Sequence, residues 1–201
     1  MQAFSTVRGI VAPLHAANID TDVIMPKQFL KGIDRRGLER GLFHELRFDA
    51  AGQERPEFIL NQPGWRNARF LVVGDNFGCG SSREHAVWGL MQYGVRALFG
   101  TSFAGIFSDN CARNGLLTIT LEQEELSCIM QLADQAGLNV VTVDLEQQII
   151  SGPDFELSFD IDPMRKTALL QGLDAIGQTL AWRDQIQAFQ DKHFKDNPWF
   201  R

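Results

Sequence analysis

The stretch Phe70-Leu71-Val72-Val73-Gly74-Asp75-Asn76-Phe77-Gly78-Cys79-Gly80-Ser81-Ser82-Arg83-Glu84-His85-Ala86 decides how the rest of the chain is read. Its first four residues are a short apolar run of buried-strand type. Three glycines follow, Gly74, Gly78 and Gly80, and Ser81 to Tyr93 then reads as a helix, with a second strand at Val95 to Phe99. Glycines let backbone amides come close to a ligand. A helix N-terminus offers unpaired N–H groups and a dipole that favours an anion. Arg83 adds a planar donor pair for a carboxylate, and Ser81 and Ser82 add short hydroxyls. These residues describe a carboxylate-binding mouth. A second reading makes Ser81 an N-cap and Glu84, three residues on, its capping-box partner, which requires no chemistry. The run is not a nucleotide loop of the Walker type, since no lysine precedes the serines, and Arg83 occupies the place of the third glycine of a dinucleotide fingerprint.

Outward from this centre, Val7 to Leu14 reads as an opening strand that ends in the polar turn Asn18-Ile19-Asp20-Thr21-Asp22. Residues 31 to 56 are rich in charge and glycine, and a long, exposed, mobile excursion is expected there. Arg35 and Arg36 lie on it, read either as a solvated face or as cationic contacts near the Asp20–Asp22 turn. Downstream come a short helix at Phe103 to Phe107, a strand at Leu116 to Leu121 and a helix at Glu122 to Gln135. That helix carries Leu126, Ile129, Met130 and Ala133 on one face. Strands follow at Asn139 to Val143, Gln148 to Ser151 and Phe155 to Phe159, and helices at Pro163 to Gln171 and Trp182 to His193. The order lacks a regular βαβ count. It predicts one α/β domain over residues 1–201: a mixed, barrel-like sheet with flanking helices and a helical C-terminal extension over about 163–201.

The bulk properties narrow the function. The 201 residues carry a formal charge of -6 and are 44% hydrophobic, enough for a sizeable core. An acidic chain argues against nucleic-acid or anionic-membrane binding, which needs a basic face. No stretch approaches the roughly 20 apolar residues that span a bilayer. The opening MQAFSTVRGIVAPL lacks the pattern of a secretory leader. The three cysteines, Cys79, Cys111 and Cys128, are far apart, which suits a reducing cytoplasm. The four histidines are equally scattered, so no self-contained zinc or iron–sulfur site is expected in this chain.

The serine loop itself is an incomplete active site. A hydroxyl acting as base must be driven toward its alkoxide. A helix terminus supplies at most about 2 kcal/mol, or roughly 1.5 pKa units at about 1.36 kcal/mol each. The remaining stabilisation must come from Arg83 or from a group on another chain.

Gly78 to Ala86, introduced by Asp75-Asn76-Phe77, resembles the signature of the aconitase swivelling domain. Asn18 to Asp22 with Pro26-Lys27-Gln28-Phe29-Leu30 is similar to the first motif of 3-isopropylmalate dehydratase small subunits. Ser102 to Phe107, Asn114 to Leu117 and Gly172 to Leu180 resemble later segments of the same family. The resemblance implies a swivelling β/β/α three-layer domain that closes over a large subunit carrying a [4Fe-4S] cluster, with no cofactor on this chain. It implies a hydro-lyase of leucine biosynthesis, acting on a small dicarboxylic hydroxy acid. Ser81 falls on the catalytic base, Ser82 and Arg83 on carboxylate-binding positions, and Asp22 on an aspartate that pairs with a large-subunit group. Arg35 or Arg36 falls near a substrate-binding arginine. The alternatives are a related hydratase subunit of citraconate or methylmalate type, and a non-catalytic anion-binding module.

Overall fold

The computed structural model describes residues 1–31 and 35–200. Seven strands form one mixed, curled sheet: β1 (Thr6–Leu14), β2 (Phe70–Val73), β3 (Ala97–Gly100), β4 (Leu117–Thr120), β5 (Val140–Asp144), β6 (Ile149–Ser151) and β7 (Glu156–Ser158). Their order across the sheet is β4-β3-β2-β1-β5-β6-β7. The long first strand joins two regimes. Its second half, Val11 to Leu14, pairs in parallel with Phe70 to Val73. Its first half, Thr6 to Ile10, pairs antiparallel with Val140 to Asp144. Burial follows pairing. Val11 to Leu14 are all buried, as a parallel strand covered on both faces requires, whereas Thr6 to Ile10 are only partly covered.

Alternate residues feed the two faces of the sheet. Leu71, Val73 and Leu98 join one core with Ala86, Val87, Leu90, Phe107 and Cys111. Phe70, Val72, Ala97 and Phe99 join the other with Leu126, Ile129, Ala133 and Leu169. All four residues of β2 are fully buried, each worth about 1.5–3 kcal/mol of transfer free energy. The first face is covered by α3 (Glu84–Tyr93) and α4 (Gly105–Asn114), the second by α5 (Gln123–Ala133) and α6 (Pro163–Gln171). Short helices α1 (Thr21–Ile24) and α2 (His44–Arg47) lie on the first side. The chain ends in α7 (Ala175–Leu180) and α8 (Arg183–Asp196). The layered sheet of the sequence reading is present. The sequence-read strands and helices are found within a few residues of their expected bounds, except α4, which runs on to Asn114 where the expected short helix stops at Phe107, and α7, which falls inside the expected helical C-terminal extension without being marked as a separate helix.

Two local expectations are corrected. Within the described residues 35 to 56 the segment is not simply an exposed excursion, for Leu38, Leu42 and Phe43 are buried in the first core, while the part of that expectation falling on 32 to 34 lies outside the described residues. Arg47 pins it, donating from Nη1 to Glu39 O at 2.8 Å and to Leu42 O at 3.2 Å. Asn61 Nδ2 donates to Arg47 O at 2.7 Å. Helix α3 begins at Glu84, not Ser81. Its cap position is Arg83, and no side chain caps it. The capping-box reading of Ser81 and Glu84 therefore fails, because both side chains are engaged elsewhere.

Candidate functional site

The site is assembled from loops that leave neighbouring parallel strands at their C-terminal ends. That end of a parallel sheet collects loops and helix N-termini, and α/β proteins place ligands there. The loop after β1 runs beside the loop after β2 as a small parallel ladder, with a bridge between Asp20 and Cys79. Gly78 N donates to Ile19 O at 2.8 Å, and Thr21 N to Cys79 O at 2.9 Å. The loop after β3 joins the other side, where Ala104 N donates to Phe77 O at 3.0 Å. Asn18 and Asn76 both hold left-handed backbone, φ 57° and 54°, which asparagine tolerates better than most residues. The Asn76 amide donates to Asn18 Oδ1 at 2.9 Å, tying the two bends together. Gly78 also has positive φ, and a Cβ there would drive into the Phe107 ring. The loop needs glycine at that point for both reasons.

This lacing places Ser81 against the first polar turn. Its Oγ lies 2.6 Å from Thr21 Oγ1, and either hydroxyl can be the donor. Thr21 is 1% exposed, while Ser81 is only partly covered and reaches the surface. Asp22, next in the chain, pairs with Arg83, whose side chain is 18% exposed against 46% for the aspartate. Arg83 Nη1 has no well-aligned hydrogen bond although it is buried, so the pair is a charge contact that leaves donor capacity unused. Asp20 serves as N-cap of α1, its Oδ1 accepting from Val23 N at 2.7 Å. Asp22 also lines an open groove of about 290 Å³ with Asp20, Val23, Pro26, Lys27, Gln28 and Glu45.

The remaining candidates are exposed. Ser82 is exposed, and its carbonyl accepts from Asn110 Nδ2 at 3.3 Å. Arg35 lies against α3, its guanidinium carbon 4.1 Å from the Trp88 ring centroid. Arg36 is exposed. The structure thus brings Ser81, Asp22 and Arg83 into one cluster, sets Ser82 beside it and places Arg35 on the flank of the same helix.

Sequence reasoning gave no role to Thr21, although it sits inside the quoted turn, because a threonine there is an ordinary turn residue. It also missed Asn110 and Asn114. Asn114 Nδ2 donates to Glu84 Oε1 at 2.7 Å, which takes Glu84 away from capping. Their four-residue spacing on α4 was the available signal.

Arranged in this way, the residues can bind a carboxylate at Arg83 and the uncapped start of α3. They can also hold a partly exposed hydroxyl ready for proton transfer. They do not form a cluster-ligand set. Cys111 is buried, which pushes its thiol pKa well up, and a metal-bound thiolate needs the opposite. Among the described residues no group of three or more His, Cys, Asp or Glu is placed to hold a metal ion. Nor is any described helix long and apolar enough to cross a membrane.

Comparison with known proteins agrees with the geometry. The aconitase C-terminal domain model matches residues 1–124, and the model described as LeuD_N matches residues 129–163. The chain is 55% identical over 201 residues to 3-isopropylmalate dehydratase small subunit 1 of Mannheimia succiniciproducens, covering 100% of both chains. It is 52% identical over 201 residues to small subunit 2 of Salmonella typhimurium, covering 100% of this chain and 97% of that one. Among solved structures, the fold resembles that of 3-isopropylmalate dehydratase from Methanocaldococcus jannaschii. The TM-score is 0.65 at 24% identity, over 92% of this chain and 99% of the other.

Proposed function

Since the chain belongs to the aconitase C-terminal-domain family, among the 3-isopropylmalate dehydratase small subunits, we propose that it works with an iron–sulfur large subunit to isomerise 2-isopropylmalate to 3-isopropylmalate. The reaction removes water and adds it back with the hydroxyl on the neighbouring carbon, in leucine biosynthesis. The enzyme is a lyase, and in this family the cluster belongs to the large subunit. That [4Fe-4S] group supplies Lewis acidity toward the substrate hydroxyl and carboxylate when the two subunits are joined. A cytoplasmic location goes with this biosynthetic role.

Ser81 takes the proton from the carbon beside a carboxylate and holds it at Oγ, from which it can be returned when water is re-added. The observation that carries this reading is the 2.6 Å contact between the partly exposed Ser81 hydroxyl and the buried Thr21 hydroxyl. With Thr21 as donor, the bond favours the ionised form of Ser81. Arg83 and the first amides of α3 bind a substrate carboxylate and lower the cost of the alkoxide. Ser82 adds a hydroxyl on the open side of the mouth. Arg35, or Arg36 beside it, meets the substrate from the rim of the 35–56 segment.

Asp22 has two possible partners. In the free chain it neutralises part of the Arg83 charge. A cationic or N–H group of the large subunit that draws Asp22 away releases Arg83 for substrate. Docking therefore supplies the cationic help that the helix terminus alone cannot provide.

The test is reconstitution, following absorbance of the unsaturated intermediate. The chain alone is expected to be inactive, and activity to appear with the large subunit. Ser81→Ala should lower kcat by several orders of magnitude with assembly intact. A fully active Ser81→Ala complex would remove the base assignment. A panel of 2-hydroxy diacids, including methylmalate-type substrates, fixes the substrate: a preference for one of those over 2-isopropylmalate would overturn the substrate assignment alone.

A further inference from the structure

Helix α3 holds Arg35 at two points one turn apart. The Arg35 guanidinium lies over the face of Trp88. Four residues on, Gln92 grips the main chain of the same segment, its Nε2 donating to Arg35 O and its Oε1 accepting from Leu38 N at 2.9 Å. The indole is itself fixed. Its Nε1–H donates to Asn114 Oδ1 at 2.9 Å, and the His85 ring packs 4.6 Å away. Asn114 in turn donates to Glu84 Oε1 and to Asn110 O, and Asn110 donates to the carbonyl of Ser82. One side-chain network therefore runs from the serine loop to the plane on which Arg35 rests.

The manner of holding bears on function. A carboxylate partner would fix Arg35 by consuming its charge and its N–H donors. An aromatic face fixes the same cation while leaving its in-plane donors free to take an anion. We infer that Trp88 is a positioning residue that presents the Arg35 guanidinium, edge outward, to the substrate, and so sets substrate affinity. The inference rests on the reading of Arg35 as the substrate-contacting arginine. It adds the element that aims it.

The test uses the assembled two-subunit enzyme and 2-isopropylmalate. Trp88→Leu is expected to raise KM by about tenfold, in line with the strength of a partly exposed cation–π contact, with kcat changed by less than about twofold. Trp88→Phe keeps an aromatic face and should recover most of the affinity. Arg35→Ala should raise KM by itself, and adding Trp88→Leu to it should raise KM no further, because both changes remove one interaction. If Trp88→Leu does not assemble, Trp88→Met carries the same expectation. An unchanged KM in the Trp88 variants beside a raised KM in Arg35→Ala overturns the role of Trp88 alone. Effects that multiply in the double variant overturn it too. An unchanged KM in Arg35→Ala removes the Arg35 reading and this inference with it, while the Ser81→Ala result stands separately.

Discussion

Thr21 and Ser81 stand sixty positions apart, yet their hydroxyls share one short hydrogen bond. A hydrogen bond to an ionised group is worth about 1.5–3 kcal/mol. Thr21→Val keeps the side-chain shape and removes the donor, so kcat of the assembled enzyme should fall by roughly 10- to 100-fold. Thr21→Ser should restore it, and KM should change little in both. Steady-state kinetics on the two variants checks this. Gly78 makes a different kind of claim, about strain. Alanine there meets a positive φ and the Phe107 ring together. Left-handed backbone costs about 1–2 kcal/mol and overpacking about 1–3 kcal/mol. Gly78→Ala is expected to destabilise the chain by about 2–5 kcal/mol on those two principles, visible as a lower denaturant midpoint. At this scale the sequence was informative about residue type and weak about pairing. Ser81 and Arg83 stand out by their glycine loop, and Asp22 lies in the separate polar turn after the first strand. Thr21 does not, because its partner is decided by how two crossover loops dock.

Elements differ in how openly they were written. β2 is legible because four consecutive apolar residues can only be covered on both faces. α6 is legible because Asp162 caps it, Pro163 opens it and Gly172 closes it. The start of α3 is masked in the sequence because Ser81 and Glu84 obey the capping-box spacing, while tertiary contacts to Thr21 and Asn114 outcompete it. The sequence shows only a short helix at Phe103 to Phe107 where α4 runs to Asn114, because Asp109, Asn110 and Asn114 look like loop residues. Asn110 is in fact buried, and both asparagines bond to the neighbouring serine loop and helix. In the 35–56 segment, Leu38, Leu42 and Phe43 are too irregularly spaced among charges to show a period. This segment also carries His44, held between Phe29 and Phe48. Burial lowers its pKa, with Arg47 adding to the effect, so the folded state prefers the neutral ring. The unfolded chain takes up the proton first. The stability contributed is full above the ordinary histidine value of about 6.5 and is lost as pH falls through the lowered folded value. The thermal midpoint should therefore drop on acidification below about 6.5, and His44→Phe should flatten that part of the curve.

Across the whole molecule, packing thins toward the C-terminus. α8 buries no residue, and Phe189 and Trp199 are 67% and 72% exposed. Its aromatic contacts are with its own neighbours, as where His193 stacks on Phe189 and Phe200. Removing residues 183–201 should thus shift the thermal midpoint of the isolated chain by no more than a degree or two, since little apolar area is uncovered. A large loss of stability on truncation would show that this helix supports the core. The laced loops after β1, β2 and β3 have the opposite character, three strand exits joined into one rim by backbone hydrogen bonds. Because Ser81 sits on that rim partly open to water, solvent shields its hydroxyl from the very charges that would sharpen it. Under the role proposed for Ser81, a lone copy is a disarmed tool, safe to store and harmless to bystander acids, and joining the large subunit is what releases the safety catch.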